Sequence, residues 1–283
     1  MKRVVNLLRV CAIVVLCGLV AVFFTTCKKD AALKKEVFSG CAQKGPFTTG
    51  SSVTIFELDA NLNQTGKTYF TTISDDFGNF KLTDIELVSN YVELKVEGYF
   101  FHEIIGAVVE APIMLYTLVD VKDANYANVN VLTHLEKPRV EYLVKQGKSF
   151  AEAKRQAQKE VLAIFDFTPS NTSSEALDLT HDGMLLAIST IIITLPFCDG
   201  AINYMEFMAN VSEDIKTDGI LDNTALKTKL VKSAIRINTY DKSVAVSLYW
   251  VRKYMEDRYA ELGINVAVPN FESYVQAFID ANK

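Results

Sequence analysis

The feature that limits the fold most is a change of hydrophobic period near Asp120. Before it, short runs alternate apolar and polar residues; after it, apolar residues return every three to four positions. Residues 91–101, YVELKVEGYFF, set Val92, Leu94 and Val96 against Glu93, Lys95 and Glu97, the pattern of an antiparallel strand with one wet face. Residues 51–59 and 67–74 are rich in β-branched and aromatic side chains, as strands are. Gly45-Pro46, residues 61–66 and residues 75–79 punctuate them with turn chemistry. Beyond Asp120, Phe150, Ala153, Ala157, Val161, Leu162 and Phe165 fall on one helical face, with Lys154, Arg155, Gln158 and Lys159 opposite. The two periods predict an α+β chain: an N-terminal antiparallel β-sandwich over 37–121, then an α-helical bundle over 122–283.

Local signals refine the helical half. Ser149 and Glu152 have the spacing of a capping box, and Gly147 ends the preceding helix, which carries Val140, Leu143 and Val144. Residues 181–195 are almost wholly apolar. From Gly183 the run is too short to cross a bilayer, so it predicts a central buried helix. Further helices are expected over 201–216, 223–237, 242–262 and 271–281, six or seven in all, with Pro196, Gly219, Gly263 and Pro269 among the breaks. At the junction, NVNVLTHLE (128–136) offers Asn130 or Thr133 as a helix cap. His134 reads as a histidine satisfied at an interface.

The N-terminus carries an address. Lys2, Arg3 and Arg9 precede seventeen uncharged residues, 10–26, and then Cys27. That run sits at the lower edge of a membrane span and just past a typical signal core. It resembles the signal of bacterial lipoproteins, although Phe24-Thr25-Thr26 departs from the usual Leu-small-small box. The resemblance implies a signal peptide over 1–26, lipid attachment at Cys27 and a polar tether over 27–36. Because Lys28, not Asp, follows the cysteine, it implies the outer membrane, facing periplasm or cell surface. Cleavage would move the net charge from −5 to −8, since three bases and no acid leave with residues 1–26. An acidic chain without clustered Lys and Arg argues against a nucleic-acid partner. Outside the leader and Cys27, Cys41 and Cys198 remain. They read as two free buried thiols, and no CxxC spacing points to zinc.

A second resemblance rests on GCAQKGPFTTGSSVTIFELD (40–59) and TTISDDFGNFKL (71–82). Gly45, Pro46, Gly50, Val53, Ile55, Thr72, Asp75 or Asp76, Gly78 and Phe80 match the pattern of the carboxypeptidase regulatory-like, transthyretin-type (Ig-like) sandwich of bacterial surface proteins. It implies a fold and says almost nothing of function. In the turn, Asp76 is expected to bond its own backbone, Gly78 to take a positive φ, and Phe80 to return to the core. Residues 128–136 and 147–165 together resemble a segment that follows such β-domains in uncharacterised bacterial lipoproteins.

Catalytic patterns are missing. QGKS (146–149) lacks the first glycine of a phosphate loop, with Tyr142 in its place. HEIIG (102–106) puts Gly106 where a zinc protease needs its second histidine. No Gly-x-Ser-x-Gly elbow occurs, and His102, His134 and His181 are scattered. EDIKTDGILD (213–222) lacks the ligand ladder of an EF-hand and reads as a helix–helix connection. Tyr99, Phe100 and Phe101 put rings on both strand faces; burial between the two halves accounts for them better than glycan stacking. No catalytic, cofactor-binding or metal residue is assigned, and no cofactor is expected. The expectation is a non-enzymatic binding or structural role, with the membrane as partner through the lipid and an envelope protein or glycan as ligand. The alternatives are an envelope enzyme acting on glycan or peptide, and a fimbrial or adhesin subunit.

Overall fold

The computed structural model describes residues 32–109, 111–169, 171–199 and 203–283. The signal peptide expected over 1–26 and the lipid attachment expected at Cys27 lie outside the described residues. The chain is α+β. Among the described residues nine strands come first: β1 (Leu33–Gln43), β2 (Ser52–Leu58), β3 (Gln64–Thr72), β4 (Asn79–Leu87), β5 (Tyr91–Gly98), β6 (Phe101–His102), β7 (Ala107–Val108), β8 (Ile113–Asp120) and β9 (Val129–Asn130). Eight α-helices follow among the described residues: α1 (Val131–Lys145), α2 (Phe150–Ile164), α3 (Gly183–Ile193), α4 (Pro196–Asp199), α5 (Tyr204–Asp214), α6 (Thr224–Ile237), α7 (Leu248–Glu261) and α8 (Glu272–Ala281). One sheet has the order β4-β1-β9, another β3-β2-β5-β8, and β6-β7 form a small hairpin. All pairings are antiparallel except β1 with β9.

The tether expected over 27–36 overlaps β1, which begins at Leu33 and pairs along β4 from Leu33↔Leu87 to Cys41↔Asn79. Tertiary bonds explain why a lysine-rich stretch is a strand: buried Lys35 gives its Nζ to the Lys122 carbonyl (3.2 Å) and Asn125 Oδ1 (3.0 Å). The expected boundary at Val121 marks the end of β8, but it does not divide the packing. Residues 33–283 form one compact unit, and β9, beyond that boundary, completes the β1 sheet. One buried apolar cluster runs from Phe38, Ile55 and Leu94 through Val129 and Leu135 to Leu185, Ile188 and Phe278. A second joins Leu58 and Leu118 to Val140, Leu143, Phe150 and Ala157. Burying both faces' apolar residues together, at roughly 25 cal/mol per Å², makes strands and helices one cooperative body.

Capping follows the sequence. Ser149 and Glu152 form the expected box on α2. Asn130, not Thr133, is the N-cap of α1, and Thr133 closes a reciprocal box at the third position. α3 is buried from Met184 to Ile193 and packs on α6 and α8. The helix expected from 242 starts at Leu248. Asp241 Oδ1 accepts from the Ser243 amide (2.8 Å) and hydroxyl (2.7 Å), a local turn that competes with helix. No helix among the described residues is long and apolar enough to cross a membrane.

Candidate functional site

Three loops meet around a cleft of about 380 Å³, lined by Asp75, Phe77, Asn79, Thr180, His181, Leu262, Ile264 and Val266. The first is the β3–β4 turn. Asp75, rather than the expected Asp76, bonds the turn's own backbone: its Oδ1 accepts from Phe77 N and Asn79 N, both 3.1 Å, and its Oδ2 from Asn79 Nδ2 at 2.9 Å. Gly78 sits at φ +94°, and a Cβ there would stand 2.3 Å from the Ala42 carbonyl oxygen. The turn therefore needs glycine both for its backbone and for close approach. Asp76 instead reaches across to Thr49 N (2.9 Å) and Arg258 (3.2 Å). The Thr49 bonds, with help from Arg258, hold its carboxyl below the usual range. Phe80 is buried, as expected.

The second loop precedes α3. Asp178 Oδ1 accepts from Thr180 N (2.8 Å) and His181 N (3.1 Å). The His181 imidazole is three-quarters exposed, and its Nδ1 lies 2.9 and 3.0 Å from the two Asp178 oxygens. A carboxylate only accepts, so Nδ1 carries a hydrogen, and in the neutral ring Nε2 is the acceptor. Asp182, the N-cap of α3, accepts from Leu185 N at 2.6 Å, and burial raises its carboxyl. The third loop follows α7, where Ile264 N bonds Tyr259 O at 2.8 Å.

Buried side chains fix the His181 loop from both sides. Gln43, on β1, accepts from Leu179 N, and Tyr259, on α7, donates its hydroxyl to Leu179 O, each at 2.9 Å. The NVNV asparagines act on the same segment. Asn128 Nδ2 donates to Leu177 O (2.9 Å) while its Oδ1 receives the Cys41 amide (2.9 Å). Asn130 Nδ2 donates to Ser174 O at 2.8 Å. The motif therefore staples the 3-10 turn Ser174–Ala176 to β1 as well as starting α1. Composition gave Asn130 as a cap but carried no signal for this second task, whose partners lie over forty positions away.

A buried charge cluster is a feature that sequence reasoning missed. Lys44 and Glu103 are both fully buried and paired at 2.8 Å. Lys44 Nζ also donates to Ser189 Oγ at 2.9 Å, and that hydroxyl lies in hydrogen-bond reach of Glu103 Oε1 and the Lys44 carbonyl. Glu103 Oε2 has no partner among the described residues. Burial lowers the Lys44 amine against the raising effect of Glu103. These residues come from the end of β1, the β6–β7 hairpin and α3, so the cluster ties strands to helices. All three are closed to solvent.

The other singled-out residues fall in separate places. His102 stacks on Phe100 (6.1 Å) and meets Phe197 edge-on, and burial brings it down to about 4. His134 stacks on Tyr116 (5.8 Å). Its Nδ1 has no hydrogen-bond partner among the described residues, so it is held by stacking and not by the bond expected; burial brings it, too, to about 4. No group of three or more His, Cys, Asp or Glu is placed to hold a metal among the described residues. Tyr99 is half exposed while Phe100 and Phe101 are buried. Residues 213–222 link α5 to α6, with Asp214 Oδ2 accepting from Asp222 N at 3.1 Å. Cys41 is a buried free thiol pushed up to about 12, first by burial, so no disulfide joins it to Cys198. Cys198 is exposed, where burial was expected, because α4 lies at the surface.

The chain matches no family model, and no curated protein or solved structure is significantly similar to it.

Proposed function

We propose that this is a lipid-anchored cell-envelope protein with a non-enzymatic role, and that it binds its ligand in the His181 cleft. On this reading Cys27 carries the acyl chains, and the outer membrane is the partner that holds the chain. Sheets β4-β1-β9 and β3-β2-β5-β8 are the layers of a transthyretin-type sandwich, and the helices are a bundle packed beside it. The observation that carries the binding role is the cleft itself. Its walls come from three separated loops, four of its eight lining residues are apolar, and its histidine is oriented by a carboxylate. Convergent polar groups beside apolar surface in a recess are the usual form of a ligand site. An envelope protein or glycan partner fits such a recess.

A photo-crosslinking residue at Val266, 41% exposed at the cleft wall, tests the reading in intact cells. The expected result is a discrete adduct there and none from the same probe at Phe70, 74% exposed on β3. Equal labelling at both sites, or none at Val266, overturns it. The anchor is tested separately by radioactive palmitate. Incorporation that survives Cys27→Ala, or that never occurs, removes the lipoprotein assignment.

A further inference from the structure

We infer that the cleft selects a small primary amine: an ammonium head on an apolar body, with His181 Nε2 and the Asp75 carboxylate receiving the head's protons. This rests on the cleft being the binding site and adds the chemistry of what enters it. Two acceptors face the question of a head group. His181 Nδ1 is committed to Asp178, so the ring atom left to a ligand is Nε2, which accepts when the ring is neutral. Asp75 Oδ1 is used twice by backbone amides, whereas Oδ2 receives one bond, from Asn79 Nδ2, and retains acceptor capacity. With the ring neutral, neither group offers a proton to an incoming anion.

The charge around the cleft has one sign. Asp75 lines it and Asp178 stands directly behind His181. None of the eight lining residues is lysine or arginine. Arg258, on α7 beside the turn, is already paired with Asp76 (3.2 Å) and Glu261 (3.3 Å). A carboxylate or phosphate entering this recess meets like charge without a free cation, whereas an ammonium meets acceptors and opposite charge. Phe77, Leu262, Ile264 and Val266 supply the surface for the apolar body. A volume of about 380 Å³ lies at the low end of ligand pockets, roughly 300–1,000 Å³, which suits a compact amine-bearing group, free or carried by an envelope protein or glycan.

The test uses the purified chain, ¹⁵N-labelled at histidine, titrated separately with n-hexylamine, hexanoate and hexanol. Hexylamine should bind at on the order of 1 mM, as a ligand of seven heavy atoms can, and move the His181 Nε2 resonance. Hexanoate should do neither, and hexanol should bind at least tenfold more weakly. His181→Ala, at an exposed position that leaves Asp178 its backbone bonds, should weaken hexylamine roughly tenfold to a hundredfold, the loss of one charge-assisted hydrogen bond. If hexanoate or hexanol binds as well as the amine, the amine selectivity is wrong and the cleft still binds. If no probe binds, or His181→Ala leaves hexylamine affinity unchanged, the inference falls, and the adduct at Val266 decides independently whether the cleft is used.

Discussion

Replacing Lys44 by methionine tests the structure at its most demanding point. Lys44 Nζ serves Glu103 Oε1 at 2.8 Å, Ser189 Oγ at 2.9 Å and the Ser189 carbonyl at 3.4 Å, all out of reach of solvent. Methionine fills nearly the same volume without the charge. It leaves the Glu103 carboxylate with the Ser189 hydroxyl alone, since Oε2 already lacks a partner among the described residues. Breaking a buried pair on one side costs about 3–5 kcal/mol, because an uncompensated charge stays inside. At about 2–4 °C per kcal/mol for a body of this size, Tm should fall by about 6–20 °C. The paired variant Lys44→Met/Glu103→Leu removes both charges and should return to within about 1 kcal/mol of the parent or exceed it. Urea unfolding followed by far-ultraviolet circular dichroism reads all three chains, and an unchanged m-value shows that the unfolding reaction is the same. A Lys44→Met cost below about 1 kcal/mol, or a paired variant worse than the single one, would refute the buried pair as the seam between strands and helices.

Other outcomes follow from the same geometry. His102 titrates near 4 when folded and near 6.5 when unfolded, so between those values the unfolded chain binds more protons and stability must fall as pH drops from 6.5 to 4. The loss from His102 is about 3 kcal/mol at most, and His102→Phe, which keeps the ring between Phe100 and Phe197, should remove about half of that slope from a urea-midpoint profile against pH, since His134 supplies the rest. Asn130→Ala removes the α1 cap and the bond to Ser174 O together; a loss of about 2–3 kcal/mol in chemical denaturation is expected, more than a cap alone. Iodoacetamide on the native chain should modify Cys198 and spare Cys41 until urea is added, as peptide mass mapping can show, because a buried thiol raised to about 12 presents almost no thiolate.

Much of this architecture is written locally. Val92, Leu94 and Val96 alternate because one face of β5 is core, and Ser149 with Glu152 starts α2 by bonds spanning three residues. What local reading loses is whatever depends on a distant partner. β1 looked like a polar tether because Lys34, Lys35 and Glu36 are charged, yet Lys35 finds its acceptors some ninety residues away. Glu93 reads as a wet-face residue but is buried under Lys137 of α1, 3.2 Å away. The cleft was invisible for the same reason: Asp75, His181 and Val266 carry no shared motif, and only the fold brings their loops together. Of its residues, the sequence named Asp75 only as an alternative to Asp76 at a turn position and His181 only as one of three scattered histidines.

The place of β1 also sets an order of events. It lies between β4 and β9, and the lysine just beyond it is secured by a serine 145 positions later. A chain made from its N-terminus forward must therefore carry its first strand with one hydrogen-bonding edge open until residue 129 exists. The amine of Lys44 stays without its helical partner until residue 189 has been made. Contacts of such sequence separation close slowly. The first strand among the described residues is among the last to be locked, which leaves a long interval in which an exposed strand edge needs shielding from other chains.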